Sequence, residues 1–173
     1  YLPYYRGFGP SVWAVRNGEE NTGASLFKIV EEMDAGPILE QRIIAIDDDD
    51  YIADVVNKVT ENYIEMIGAV LPKLLAKNYE LIEQNHEEAT YTCKSMPQDF
   101  KINWNDNAVN IRNLIRAYTP PYPGSYCYLG KNKVTILTAD VDNSLKYVGL
   151  EPGRVVKIKK NVGVYIATSD ALL

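Results

Sequence analysis

The chain has 173 residues, 46% of them hydrophobic and 24% charged, with a net charge of −5. Such usage allows one ordinary domain or two small ones with buried cores, and it excludes global disorder. It also places a nucleic-acid coat or an anionic-membrane protein behind, since these are basic overall, and no run approaches the ~18 apolar residues of a membrane span.

Nothing at the N-terminus reads as a signal peptide. The sequence opens on Tyr1 rather than Met and closes on Ala171-Leu172-Leu173, so it reads as a piece of something longer. Cys93 and Cys127 are the only cysteines and His86 the only histidine. That is too few for a disulfide framework or a Cys/His zinc site, and it fits a reducing, cytoplasmic setting.

The first ten residues are irregular and rich in Tyr, Gly and Pro. Ser11 to Val15 predicts a short helix stopped near Asn17-Gly18. Ala24 to Ile29 alternates and predicts a strand. Met33 to Pro37 is a loop, and Ile38 to Ile46 a second strand with β-branched character. Ile52, Val55, Val56, Val59, Tyr63, Ile67, Val70, Leu71 and Leu74 then recur at helical spacing. They predict one long amphipathic helix, disturbed at Gly68 and Pro72 and capped by Asp47 to Asp50.

Residues 78–99 are polar and poorly periodic and read as a linker. Beyond it, Asn105, Asp106 and Asn107 are candidate caps for a helix whose apolar face is Val109, Ile111, Leu114, Ile115 and Tyr118, ended by Pro120-Pro121. Four short strands follow: Tyr126 to Leu129, Val134 to Ala139, Arg154 to Lys159 and Val162 to Ala167. Short strands with tight turns suggest a small antiparallel barrel. Charge divides the same way. Residues 1–99 carry 8 basic and 18 acidic residues, and residues 100–173 carry 10 and 5.

Few residues stand out for chemistry. Asp34, between two strands and just before Ala35-Gly36, is either a turn aspartate or a carboxylate held at a strand end to orient a base. Arg6-Gly7-Phe8-Gly9-Pro10 is either an anion site or a rigid loop with a structural arginine. It is no dinucleotide fingerprint, because Val12 takes the third glycine position. The aspartate run lacks the alternation, glycine and distal Glu of a calcium loop. Tyr122, Tyr126, Tyr128 and nearby lysines either stack on bases or pack half-buried.

The order of motifs adds a family. Leu2-Pro3-Tyr4-Tyr5-Arg6-Gly7, Pro10, Trp13-Ala14, Asn17-Gly18-Glu19, Thr22-Gly23 and Met33-Asp34-Ala35-Gly36 with Ile38-Leu39 resemble the folate-dependent formyltransferases. Lys101-Ile102-Asn103-Trp104, residues 111–117 and Thr119 to Gly124 resemble the start of that family's C-terminal domain. The resemblance implies an α/β fold. Residues 1–86 would form the C-terminal part of a Rossmann-like catalytic domain, 87–99 a linker, and 100–173 an incomplete barrel resembling an OB fold.

The resemblance also implies 10-formyltetrahydrofolate as co-substrate, with no metal. The family's Asp falls on Asp34, and its Asn-x-His pair would precede Tyr1, so this piece alone is expected to be inactive. Met33, Asp34 and Gly36 are expected to line the folate pocket, with Tyr5 and Arg6 on the acceptor side. The acceptor would be the amine of a nucleotide-linked amino sugar. The alternative is initiator methionyl-tRNA, for which Lys157, Lys159 and Lys160 offer a basic patch. A non-catalytic binding relative is a third reading. The cut first domain should expose apolar surface, which makes a partner chain, including a homodimer, a candidate.

Overall fold

The computed structural model describes residues 1–145 and 147–173. Two compact units divide the chain: residues 1–14 with 19–95, and residues 15–18 with 96–173.

The chain begins with a two-residue strand, β1 (Arg6–Gly7), in the first unit and helix α1 (Pro10–Asn17), whose last residues are counted with the second. Proline at the first helical position suits α1, since that N–H has no helical partner anyway, and Gly18 ends the helix at φ +72°. Strands β2 (Asn21–Phe27) and β3 (Ile38–Ala45) pair antiparallel, from Asn21 opposite Ala45 to Phe27 opposite Ile38. Residues 28–37 close this hairpin, and the Lys28 N–H donates to the Pro37 carbonyl at 2.9 Å. Helix α2 (Ile52–Leu75) lays Met66 on the sheet against Ala24 and Ile44, with Leu26, Val59 and Tyr63 around them. This is the unit's core.

Helix α2 runs without a break through Gly68 and Pro72. Pro72 forfeits the one hydrogen bond its N–H would have given the Gly68 carbonyl, and the helix ends three residues later at Leu75. The acidic run does not supply the N-cap, which is Tyr51. Instead the Asp50 carboxylate accepts the Asp47 N–H at 2.7 Å and, with Asp47, holds the Lys58 ammonium at 2.5 and 2.7 Å. Asp54 accepts the Tyr51 N–H at 2.9 Å. The apolar periodicity of α2 marks two faces rather than one. Ile52, Val55, Met66 and Val70 are buried, while Ile64, Ile67, Leu71, Leu74 and Leu75 are exposed.

The polar segment after α2 is not a free tether. Ile82 exchanges backbone hydrogen bonds with Ile38 at 2.7 and 2.8 Å, and β4 (Tyr91–Thr92) pairs parallel with β1. Residues 87–95 of the expected linker therefore belong to the first unit. Backbone pairing holds them there, which needs no apolar period and so leaves none to read.

In the second unit, Asn107 caps α3 (Ala108–Tyr118) by accepting the Asn110 N–H at 2.8 Å. Ile111, Leu114, Ile115 and Tyr118 are buried, but Val109 is exposed. The Tyr118 ring sits 4.4 Å from Phe100, and the Arg16 guanidinium lies over it. Strands β5 (Ser125–Leu129) and β6 (Asn132–Ile136) form one hairpin, and β7 (Val155–Lys159) and β8 (Gly163–Ile166) another. Each is a two-stranded sheet, so the expected barrel is not closed among the described residues. Strands of four or five residues whose apolar side chains Val155, Ile158 and Val164 face solvent have no second layer to curl around. The architecture is α/β with small mixed sheets. No helix is long and apolar enough to cross a membrane among the described residues.

Met66 tests the first core. Met66→Ala should cost about 2–5 kcal/mol in urea unfolding, and Ile64→Ser on the exposed face less than about 0.5. Equal effects would place the core elsewhere.

Candidate functional site

The expected site residues converge on the first unit. Asp34 closes the loop before β3 with φ +55°, in the left-handed region that a non-glycine residue enters only under constraint. Its carboxylate supplies part of that constraint. Oδ2 accepts the Gly7 N–H at 2.7 Å. No hydrogen bond to Oδ1 is present among the described residues, and Asp34 is half-buried.

Gly7 cannot be anything larger. Its φ is +109°, and an added Cβ would lie 2.6 Å from the Thr92 carbonyl oxygen. Gly36 is equally constrained, since a Cβ there would sit 1.7 Å from the Lys28 carbonyl oxygen. Gly36 thus shapes the loop from a buried position. Met33 is about half exposed and presents its side chain at the surface.

Arg6 departs from expectation. Its side chain is fully buried, so it does not face an acceptor. Nε and Nη2 donate to Gln84 Oε1 at 3.3 and 2.7 Å, and Nη1 donates to the Tyr91 hydroxyl at 3.3 Å. Nη2 also lies 3.2 Å from His86 Nδ1. The Glu32 carboxylate stands 3.8 Å away on the exposed side. A buried cation needs its donors occupied, and this set occupies them. Arg6 is therefore the structural arginine of the two alternatives. Sequence reasoning missed Gln84. A polar residue in a non-periodic segment gives no pattern signal.

Tyr5 lies elsewhere. Its hydroxyl donates to Glu19 at 2.6 Å, at the rim of a cleft of about 320 Å³ that Tyr1, Tyr4 and Ile43 also line. Tyr5 is half-exposed there. The Tyr4 hydroxyl donates to Glu88 at 3.0 Å. That hydrogen bond first, and the carboxylate charge second, hold the Tyr4 phenol above its usual range. No cluster of three or more His, Cys, Asp or Glu side chains suited to a metal occurs among the described residues.

In the second unit, two of the three tyrosines considered for base stacking, Tyr126 and Tyr128, are covered by their own lysines, and Tyr122 packs edge-on to Tyr118. Lys133 Nζ is 4.0 Å from the Tyr126 ring centre and Lys101 Nζ is 5.8 Å from that of Tyr128. Lys157 similarly covers Tyr165.

Known proteins match along nearly the whole chain. Residues 1–71 match the formyl transferase family model, and residues 94–173 match the model of the formyl transferase C-terminal domain. Solved structures share the fold. An N-formyltransferase from Helicobacter canadensis, in complex with folinic acid and dTDP-3-aminofucose, superposes with a TM-score of 0.76 at 22% identity, over 99% of this chain and 61% of its own. HypX from Aquifex aeolicus, in complex with tetrahydrofolic acid, gives 0.75 at 23%, over 96% of this chain and 28% of its own. Methionyl-tRNA formyltransferase from Clostridium thermocellum gives 0.67 at 23%, over 83% and 61%. The chain thus spans about three fifths of the length of the Helicobacter and Clostridium enzymes.

Two measurements check the site. Gly36→Ala should cost about 3 kcal/mol, because backbone rather than a flexible side chain blocks the added methyl; a neutral result would mean the loop is open. Tyr4 is a pH probe. A phenol raised in the folded state stabilises fully below its ordinary value near pH 10, and that contribution is lost as pH rises through the folded value. Tyr4→Phe should therefore flatten the loss of stability above pH 10, and an unchanged slope would show that Glu88 does not hold the hydroxyl.

Proposed function

The chain belongs to the formyl transferase family, and we propose that the whole protein carrying it moves a formyl group from 10-formyltetrahydrofolate to the amine of a nucleotide-linked amino sugar. The observation that carries formyl transfer is the pair of family matches in their natural order, N-terminal model then C-terminal model. The Asp34 geometry supports it: a carboxylate with one oxygen fixed by the Gly7 N–H and no hydrogen bond to the other among the described residues.

The reaction makes a bond between the amine nitrogen and the formyl carbon and breaks the bond from that carbon to the donor nitrogen. One proton leaves the amine and one reaches the departing nitrogen. Negative charge gathers on the formyl oxygen in between, and hydrogen-bond donors at that point lower the barrier. In this reading Asp34 Oδ1 accepts from an imidazole contributed by the rest of the protein, fixing its tautomer and orientation, as the buried carboxylate of a Ser-His-Asp triad does. The 173-residue piece alone has no Asn-x-His pair and is inactive in this reading.

The donor site fits the loop. Met33 and Asp34 are accessible along it, whereas Gly36 is enclosed and its carbonyl is occupied by Gln84. Met33 and Asp34 therefore meet folate, and Gly36 keeps the loop in shape. Tyr5 belongs to the acceptor side, since it borders the cleft. Arg6 does not.

Three observations favour the sugar. The overall charge is negative. The superposition covers 99% of the chain for the Helicobacter enzyme and 83% for the methionyl-tRNA enzyme. Lys157, one of the three lysines offered to a tRNA backbone, lies over the protein's own Tyr165. The excess of basic residues after residue 100 favours the second reading, initiator tRNA.

A formyl-transfer assay on the whole protein separates them, with a panel of UDP- and dTDP-amino sugars against initiator methionyl-tRNA. Sugar turnover reduced at least 100-fold by Asp34→Ala is the expected result. Turnover of tRNA alone would move the protein to translation initiation. Binding of either acceptor without turnover would leave the non-catalytic relative.

A further inference from the structure

We infer that Gln84 is a positioning residue for formyl transfer, its buried amide fixing the backbone of the Asp34 loop against Arg6. The inference rests on the proposed role of Asp34. Gln84 is 6% exposed, so no substrate reaches it. Its Oε1 accepts from Arg6 Nε and Nη2, and its Nε2 donates to the carbonyls of Asp34 and Gly36 at 2.9 and 2.6 Å.

Only one orientation of the amide satisfies these partners. Turned over, it would aim N–H groups at a guanidinium and an oxygen at two carbonyls. A buried network with every member occupied holds one geometry. The two carbonyls bracket Ala35, so one nitrogen gathers the whole bend of the loop. Asp34 is thus tied twice to β1. Its carboxylate bonds the Gly7 N–H, and its carbonyl reaches Arg6 through Gln84. The first tie aims the carboxylate, and the second holds the left-handed backbone from which it is aimed.

A residue that acts through the Asp34 loop affects the chemical step more than acceptor binding. It also loses its effect once Asp34 can no longer act. Gln84→Glu keeps the size and an acceptor for Arg6 but removes both N–H donors. Gln84→Met removes donors and acceptor alike and serves where the charged variant does not fold.

The test measures kcat and KM of the whole protein with 10-formyltetrahydrofolate and whichever acceptor it turns over. Wild type, Asp34→Asn, the Gln84 variant and the double variant are compared at a temperature where circular dichroism shows all four folded. The expected result is a kcat at least 30-fold lower for the Gln84 variant, with the acceptor KM within threefold and the folate KM raised, because the same loop backbone meets the folate. In the Asp34→Asn background the same change should alter kcat less than threefold. A Gln84 variant within threefold of wild-type kcat would overturn the inference. So would equal factors in the two backgrounds, which would make Gln84 a structural residue only. If Asp34→Asn keeps the wild-type rate, the role of Asp34 fails and takes the inference with it. If Asp34→Asn is impaired and the Gln84 variant is not, Gln84 alone is refuted.

Discussion

A guanidinium with no exposed surface governs this site. Arg6 is fully buried, and removing a charged group from water is costly unless each donor finds an acceptor. The acceptors come from far along the chain: Gln84, Tyr91 and the neighbourhood of His86. Their arrival draws the segment after α2 back onto β1. It also brings β4 alongside β1 and places the Gln84 amide under the Asp34 loop. The loop, the strand pair and the fate of the polar segment therefore share one cause.

The same cause separates what pattern could show from what it could not. Elements with an apolar period were legible: α1, the β2–β3 hairpin, α2, α3 and the four later strands all fall within a few residues of their expected places. The period could not show which face of α2 meets the sheet, because both faces are apolar after Ile64. It could not show the backbone pairing of Ile82 or Tyr91, since hydrogen bonds leave no periodicity. Nor could short alternating strands reveal whether they close into a barrel. Among the described residues they remain two hairpins.

For the site, motif order singled out Asp34 and its glycines, and the structure places Asp34 and Gly7 in contact. The sequence left two meanings for Arg6, oxyanion contact or scaffold. Burial decides for scaffold, which removes the one cation expected on the acceptor side and leaves the tyrosine-lined cleft with Glu19 at its edge. Glycine's meaning also sharpens. Gly7 and Gly36 are required because backbone oxygens stand where a Cβ would be, that of Thr92 on β4 beside Gly7 and that of Lys28 across the loop beside Gly36.

The central claim is geometric: Asp34 is held on β1, with its loop turned toward the formyl donor. A crystal structure of the whole protein with 5-formyltetrahydrofolate, a stable mimic of the donor, tests it most directly. The account predicts the Asp34 carboxylate within hydrogen-bond distance of the Gly7 N–H and the backbone of Met33 and Asp34 against the bound folate. A folate bound away from residues 33–36, or an Asp34 side chain released from Gly7, would contradict it.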